Sequence, residues 1–179
     1  MKGLVFTEFL EMVEDKYGYE LVDQLLTQNN LPSGGIYTAI GTYDHAEMVM
    51  LVQHLSRVTN TPVPDLLRAY GRYMFGAFTR NYYQFIERSD SAFCLLNSIH
   101  HYIHVEVRKL YPDAELPHFT VEQPSEGHMR MHSVSERKLS DFAHGLIEGC
   151  LAHYGEQATI RKTNVVEDAS EVMFDIVKG

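Results

Sequence analysis

The chain has 179 residues, 45% of them hydrophobic, enough for one domain with a substantial buried core. A formal charge of −9 and a pI near 5.5 exclude the clustered basic surface that nucleic acid or an anionic membrane would require. The two cysteines, Cys94 and Cys150, lie far apart without a CxxC pair, which excludes a disulfide framework and a thiolate zinc site. Glu8 arrives too early for a signal-peptide apolar stretch, and no run of about 18 apolar residues occurs, so a soluble, reduced, cytoplasmic protein is expected.

Helical periodicity governs the first two-thirds. Val5, Phe9, Met12 and Val13 recur at helical spacing, and a second short helix runs from Tyr19 to Leu26 after Gly18. Residues 29–43, with Pro32, Gly34, Gly35 and Gly41, read as a loop leading to Asp44 as the N-cap of a helix over 45–58. Pro62 and Pro64 precede a helix over 66–79, in which Tyr70, Met74, Ala77 and Phe78 share related faces and suit a pocket wall or ordinary core. The clearest helix spans 91–110: Leu96, Ile99, Ile103, Val107 and Leu110 form one apolar stripe, and Pro112 ends it. His104 flanks that stripe.

Beyond Pro117 the period changes to two. Residues 119–121 and 129–131 read as hairpin strands around a Pro-Ser-Glu-Gly turn. A helix over 136–154 follows, burying Leu139, Phe142, Ala143, Leu146, Ile147 and Cys150, and strands over 158–163 and 171–177 close the chain. Strands grouped this way, without βαβ alternation, indicate an α+β fold: a helical N-terminal part, roughly 1–60, packed with a small four-stranded antiparallel sheet and one long helix. Residues 1–179 form a single domain on this reading, with no repeat or linker.

Ten histidines are scattered along the chain, and most need no special role. His100 and His104 stand one helical turn apart, with His101 nearby, a spacing that can seat imidazoles on zinc, but the glutamate of HExxH is missing and no carboxylate or thiolate is arranged to complete the shell. Ser133 followed by Glu136 matches a capping box for the last long helix, with Arg137 as a plain first-turn residue. Against these readings stands the combination. A helical His104, then Tyr111-Pro112, Pro117 and a Ser135-Glu136-Arg137 run, suits an iron porphyrin: imidazole for the metal, hydroxyl and guanidinium for the propionates.

On those residues, together with Val134-Ser135-Glu136-Arg137-Lys138 leading to Gly145-Leu146-Ile147-Glu148-Gly149, the chain resembles the H-NOX (haem-nitric oxide/oxygen binding) family, bacterial stand-alone type, related to the haem domain of soluble guanylate cyclase. The resemblance runs from Met1-Lys2-Gly3 to the terminal strands. It implies haem b buried between the helical part and the sheet, with His104 as proximal iron ligand, Ser135 and Arg137 on the propionates, and Pro117 pressing on the porphyrin. The family's propionate motif is Tyr-x-Ser-x-Arg, and here Ser133 occupies the tyrosine position. A charge-assisted arginine–carboxylate bond is worth roughly 1.5–3 kcal/mol against about 1 for a neutral hydroxyl, so Arg137 should still retain the haem.

The resemblance also locates the ligand side. Oxygen-binding members carry a distal tyrosine supported by a tryptophan and an asparagine; here Phe142, Phe9 and Met74 stand at those positions, and the chain has no tryptophan. Val5, Met74, Phe78, Phe142 and Leu146 would form an apolar chamber, favouring nitric oxide and carbon monoxide and excluding dioxygen, which needs a hydrogen-bond donor. The implied function is a gas sensor, not an enzyme: His104 is released on nitric oxide binding, and a separate partner, a sensor histidine kinase or a cyclic-di-GMP enzyme, receives the signal. Haem storage or gas scavenging without a partner is the alternative, and the distal side lacks the His/Arg pair a peroxidase needs.

Overall fold

The computed structural model describes residues 1–179. Eight α-helices and four strands follow one another as helices, hairpin, helix, hairpin, which is the α+β order expected. The N-terminal helices are α1 (Gly3–Tyr17), α2 (Tyr19–Thr27), α3 (His45–Thr59) and α4 (Val63–Asn81). Asp44 caps α3 as expected, its carboxylate accepting from the Ala46 N–H at 2.9 Å. Asn60 ends α3 in the left-handed region at φ 51°, and Pro64 sits in the first turn of α4, where its missing N–H costs nothing. The loop between α2 and α3 returns to the start of the chain: Gly3 and Leu4 donate to the carbonyls of Gly41 and Ala39 at 2.8 and 2.9 Å.

A short helix α5 (Tyr83–Ile86), which the periodicity did not indicate, follows α4. The long helix expected over 91–110 is divided into α6 (Ala92–Ser98), a π-helical segment (Ile99–Ile103) and α7 (His104–Leu110). The His104 N–H reaches back five residues to the Ile99 carbonyl, so one extra residue is wound in just before His104 and the apolar stripe slips out of phase. Isolated π turns of this kind concentrate where a side chain must be aimed.

The sheet is fully antiparallel in the order β1-β2-β4-β3, with β1 (His118–Ser125), β2 (His128–Val134), β3 (Ala158–Asn164) and β4 (Glu171–Lys178). Met129, Met131 and Ser133 alternate onto the buried face of β2 beside Val172, Phe174 and Ile176 of β4. Helix α8 (Ser140–His153) packs its Ile147, Cys150 and Leu151 there, with Phe93 and Leu96 of α6. The expected start of this helix at 136 is corrected. Strand pairing holds Ser133 against Phe119 and Val172, so it cannot cap a helix, and residues 135–139 form a loop in which Lys138 has a positive φ of 55°.

Helices α4 and α8 meet backbone to backbone. A Cβ built on Gly145 would lie 2.1 Å from the Arg68 carbonyl oxygen, and one on Gly71 would lie 2.3 Å from that of Phe142. Main chain cannot rotate aside as a side chain can. Gly145→Ala is therefore expected to lower stability by about 2–3 kcal/mol through overpacking, read as a fall in the urea midpoint at unchanged slope. A variant as stable as the parent would show that the helices separate freely.

Two hydrophobic cores result. One lies among α1 to α4, centred on Phe6, Phe9, Leu51, Tyr70 and Met74; the other lies between the sheet, α6 and α8. Phe78 and Leu146, neither fully buried, touch both. No helix is long and apolar enough to cross a membrane.

Candidate functional site

The seam between the cores collects the residues singled out in the sequence. Val5 and Phe9 come from α1, Met74 and Phe78 from α4, and Phe142 and Leu146 from α8. Phe9 and Met74 are sealed, whereas Val5, Phe78, Phe142 and Leu146 are only half-buried although apolar residues surround them. Such a wall fits an apolar, plate-shaped group lying between the cores.

Tyr70 organises this wall and was missed as a site residue. It is 1% exposed, its ring stacks on Phe142 at 5.0 Å between centroids, and Phe9 meets it edge-on at 5.2 Å. Its hydroxyl donates to the Val5 carbonyl and lies 3.6 Å from the Met74 sulfur. Four of the apolar-wall positions thus converge on one side chain. The signal available was its place one turn before Met74, on a face that equally suited plain core.

His104, the first residue of α7, is 8% exposed, with its ring 5.9 Å from that of Phe119. Burial, reinforced by Arg108 and His100, pushes its pKa down to about 4. The imidazole is therefore neutral at physiological pH. Its Nδ1 is buried with no hydrogen-bond partner, an unsatisfied polar atom in an otherwise apolar setting. A neutral, buried ring with unmet bonding capacity fits a metal ligand. Pro117 lies half-buried in the loop just before β1, two residues from Phe119.

The third part is the loop between β2 and α8. Ser135 is fixed by its N–H to the Ser170 carbonyl at 2.8 Å, and its own carbonyl accepts from Lys138 at 3.2 Å. Arg137 keeps only 19% of its side chain exposed and pairs with Glu115 at 2.8 Å. The Met1 amine is close by: burial first, then the Arg137 charge, lowers its pKa, and it donates to the Tyr43 carbonyl at 2.8 Å. Glu115 is 84% exposed, free to swing into water and leave Arg137 to another carboxylate. Ser133 is buried on the sheet's inner face, on the same side as Met129 and Met131. Neither Met1 nor Glu115 was readable as part of the site, because the loops that bring them to Arg137 carry no periodic signal.

A buried neutral histidine, an apolar wall and an arginine held only by an exposed partner are the parts a haem pocket needs. The family model described as haem-NO-binding matches residues 2–162. The chain belongs to that family. Its H-NOX fold superposes on the Fe(II) unliganded H-NOX protein from K. algicida with a TM-score of 0.95, at 42% identity over 100% of this chain and 97% of that one. The H-NOX from Shewanella woodyi, solved in the Fe(II)CO state with IWP-051 bound, is 40% identical over 100% and 95% of the two chains, with a TM-score of 0.86. An S. oneidensis H-NOX in the Fe(II)NO state is 26% identical over 100% and 99%, with a TM-score of 0.90. No curated protein matches this chain. As an H-NOX domain the chain has a haem-based gas-sensing fold.

Proposed function

We propose that this H-NOX domain binds haem b in the seam, senses nitric oxide and carbon monoxide while excluding dioxygen, and signals to a separate protein. The observation that carries the reading is His104: a buried imidazole whose pKa is pushed down to about 4 and whose Nδ1 has no protein partner. Bound haem would supply a ferrous iron able to take a diatomic gas. His104 is the proximal ligand. Arg137 would exchange Glu115 for a propionate, and Ser135 would add a hydroxyl. Pro117 and Phe119 would pack against the haem beside His104, and Val5, Met74, Phe78, Phe142 and Leu146 would keep water from the bound gas. The relatives solved in Fe(II), Fe(II)NO and Fe(II)CO states support this assignment of ligands.

Signalling follows from where His104 sits. The residue heads a seven-residue helix whose upstream neighbour is the π-helical segment, so detachment of its imidazole frees a short element already wound off the regular helical path. Residues 1–179 act as one unit, in which the N-terminal helices, roughly 1–60, shift against the sheet and offer a changed surface to a partner. We favour a sensor histidine kinase in the cytoplasm over a cyclic-di-GMP enzyme, and assign the chain no catalytic activity of its own. The test is the ferrous absorption spectrum with nitric oxide, carbon monoxide and air, followed by kinase autophosphorylation with each form. Zinc without a Soret band would end the haem reading; gas binding with no effect on the kinase would leave a scavenger.

Ser133 gives a narrower test. Its side chain shares the inner face of β2 with Met129 and Met131, so a tyrosine there projects between sheet and helices, toward the seam. Ser133→Tyr is expected to slow haem loss about fivefold, the worth of one hydroxyl contact of about 1 kcal/mol. Transfer of haem to apomyoglobin measures this, and an unchanged rate would remove position 133 from the propionate site.

A further inference from the structure

The proximal side holds a histidine pair that the haem site leaves unused. His100, in the π-helical segment, and His118, the first residue of β1, bring their rings to 4.2 Å between centroids with planes inclined by 70°. Some other histidines face carboxylates: His128 lies 2.6 Å from Asp175, and His144 lies 3.5 Å from Glu148. His100 and His118 face each other. The His100 Nδ1 is buried and has no hydrogen-bond partner, and the ring's charged form is disfavoured by burial, then by His118, His101 and Arg108. Two imidazoles in contact, one with a buried nitrogen lacking a partner, present ring nitrogens for a cation to bridge.

The geometry is close to that of cis ligands on one ion. Metal–nitrogen bonds of about 2.0–2.1 Å hold two ring centroids roughly 4.5–5 Å apart, so a small rotation of either ring opens the gap. His104 is too far to share the ion, its ring being 6.5 Å from that of His100. His101, at 5.2 Å, is the sequence neighbour of His100, and neighbours on a helix do not converge on one point. No group of three or more ligand side chains is preformed. We propose that His100 and His118 are a two-histidine site for a divalent first-row transition ion of the zinc class, water completing the shell, as suits imidazole donors.

Such an ion would act as a removable clamp. It would tie the π-helical segment to β1 within four residues of His104, and whatever opposes movement of that segment opposes displacement of the His104 helix. Only this consequence rests on the haem reading.

The test is a calorimetric titration of the haem-loaded ferrous–CO protein with zinc chloride, paired with amide hydrogen exchange over residues 99–104. The parent is expected to take one ion per chain with micromolar affinity and to slow exchange at those amides at least threefold. His118→Gln, at an exposed strand end where folding is not at stake, should weaken zinc at least tenfold and abolish the slowing; His101→Gln should change neither by more than threefold. Equal zinc binding by the parent and His118→Gln, or no binding by the parent, overturns the site. Chain lacking a Soret band that still loses zinc on His118→Gln would refute the haem reading and uphold this one.

Discussion

His104→Gly is expected to cut haem affinity by at least about 100-fold, equivalent to about 2.8 kcal/mol, and to restore it when free imidazole is supplied. The side chain removed is buried and neutral, and its Nδ1 meets no protein group, so its loss breaks no hydrogen bond inside the fold. What remains is a helix-start glycine, costing about 1 kcal/mol of helix propensity, and a vacated volume that imidazole can occupy. A merely structural histidine would give the opposite pattern: a lower melting temperature, no dependence on imidazole and unchanged haem affinity. The ferrous spectrum with and without 10-fold steps of imidazole therefore separates ligand from filler. With imidazole bound but no longer tethered to α7, the protein should drive its partner as the nitric oxide form does; regulation like that of the unliganded parent would defeat the release model.

The parts of this site that were legible in the sequence are those carried by regular elements. Met74 and Phe78 fall on one face of α4, Met129 and Met131 on one face of β2, and Asp44 announces α3, because periodicity and capping are local rules. Three things escaped. The π-helical segment before His104 inserts a residue that no propensity marks, so a helix read as continuous over 91–110 is offset where the site is built. The start of α8 was placed four residues early, since a serine with a glutamate three residues on satisfies a capping rule that strand pairing with Phe119 and Val172 overrides. Tyr70, Glu115 and Met1 join the site through tertiary contacts spanning 65 residues in the case of the Tyr70–Val5 hydrogen bond, a separation at which sequence pattern is silent.

Tyr70 sharpens the second large prediction, because a tyrosine in the proposed distal wall would ordinarily be expected to hold dioxygen. Its hydroxyl is spent: it donates to the Val5 carbonyl, and the ring is clamped between Phe142 and Phe9. Turning it toward a ligand would leave the buried carbonyl unsatisfied, at a cost of about 1–3 kcal/mol, the same size as the 1.5–3 kcal/mol gained from a bond to a partly charged acceptor. The exchange yields nothing, so ferrous protein in air should show no stable oxy complex, and Tyr70→Phe should leave nitric oxide and carbon monoxide binding unchanged within about threefold. Phe142→Tyr is different. It adds a hydroxyl at a half-buried position that we propose lines the gas site, with no prior partner to give up, and should raise oxygen affinity by roughly 10- to 150-fold, or about 1.5–3 kcal/mol. Stopped-flow oxygen binding to the ferrous proteins decides among the outcomes. An oxy complex in the parent that vanishes in Tyr70→Phe would mean that the tyrosine leaves Val5 and serves as the donor; one that forms only in Phe142→Tyr would fix ligand choice in the contrast between a bonded hydroxyl and a free one.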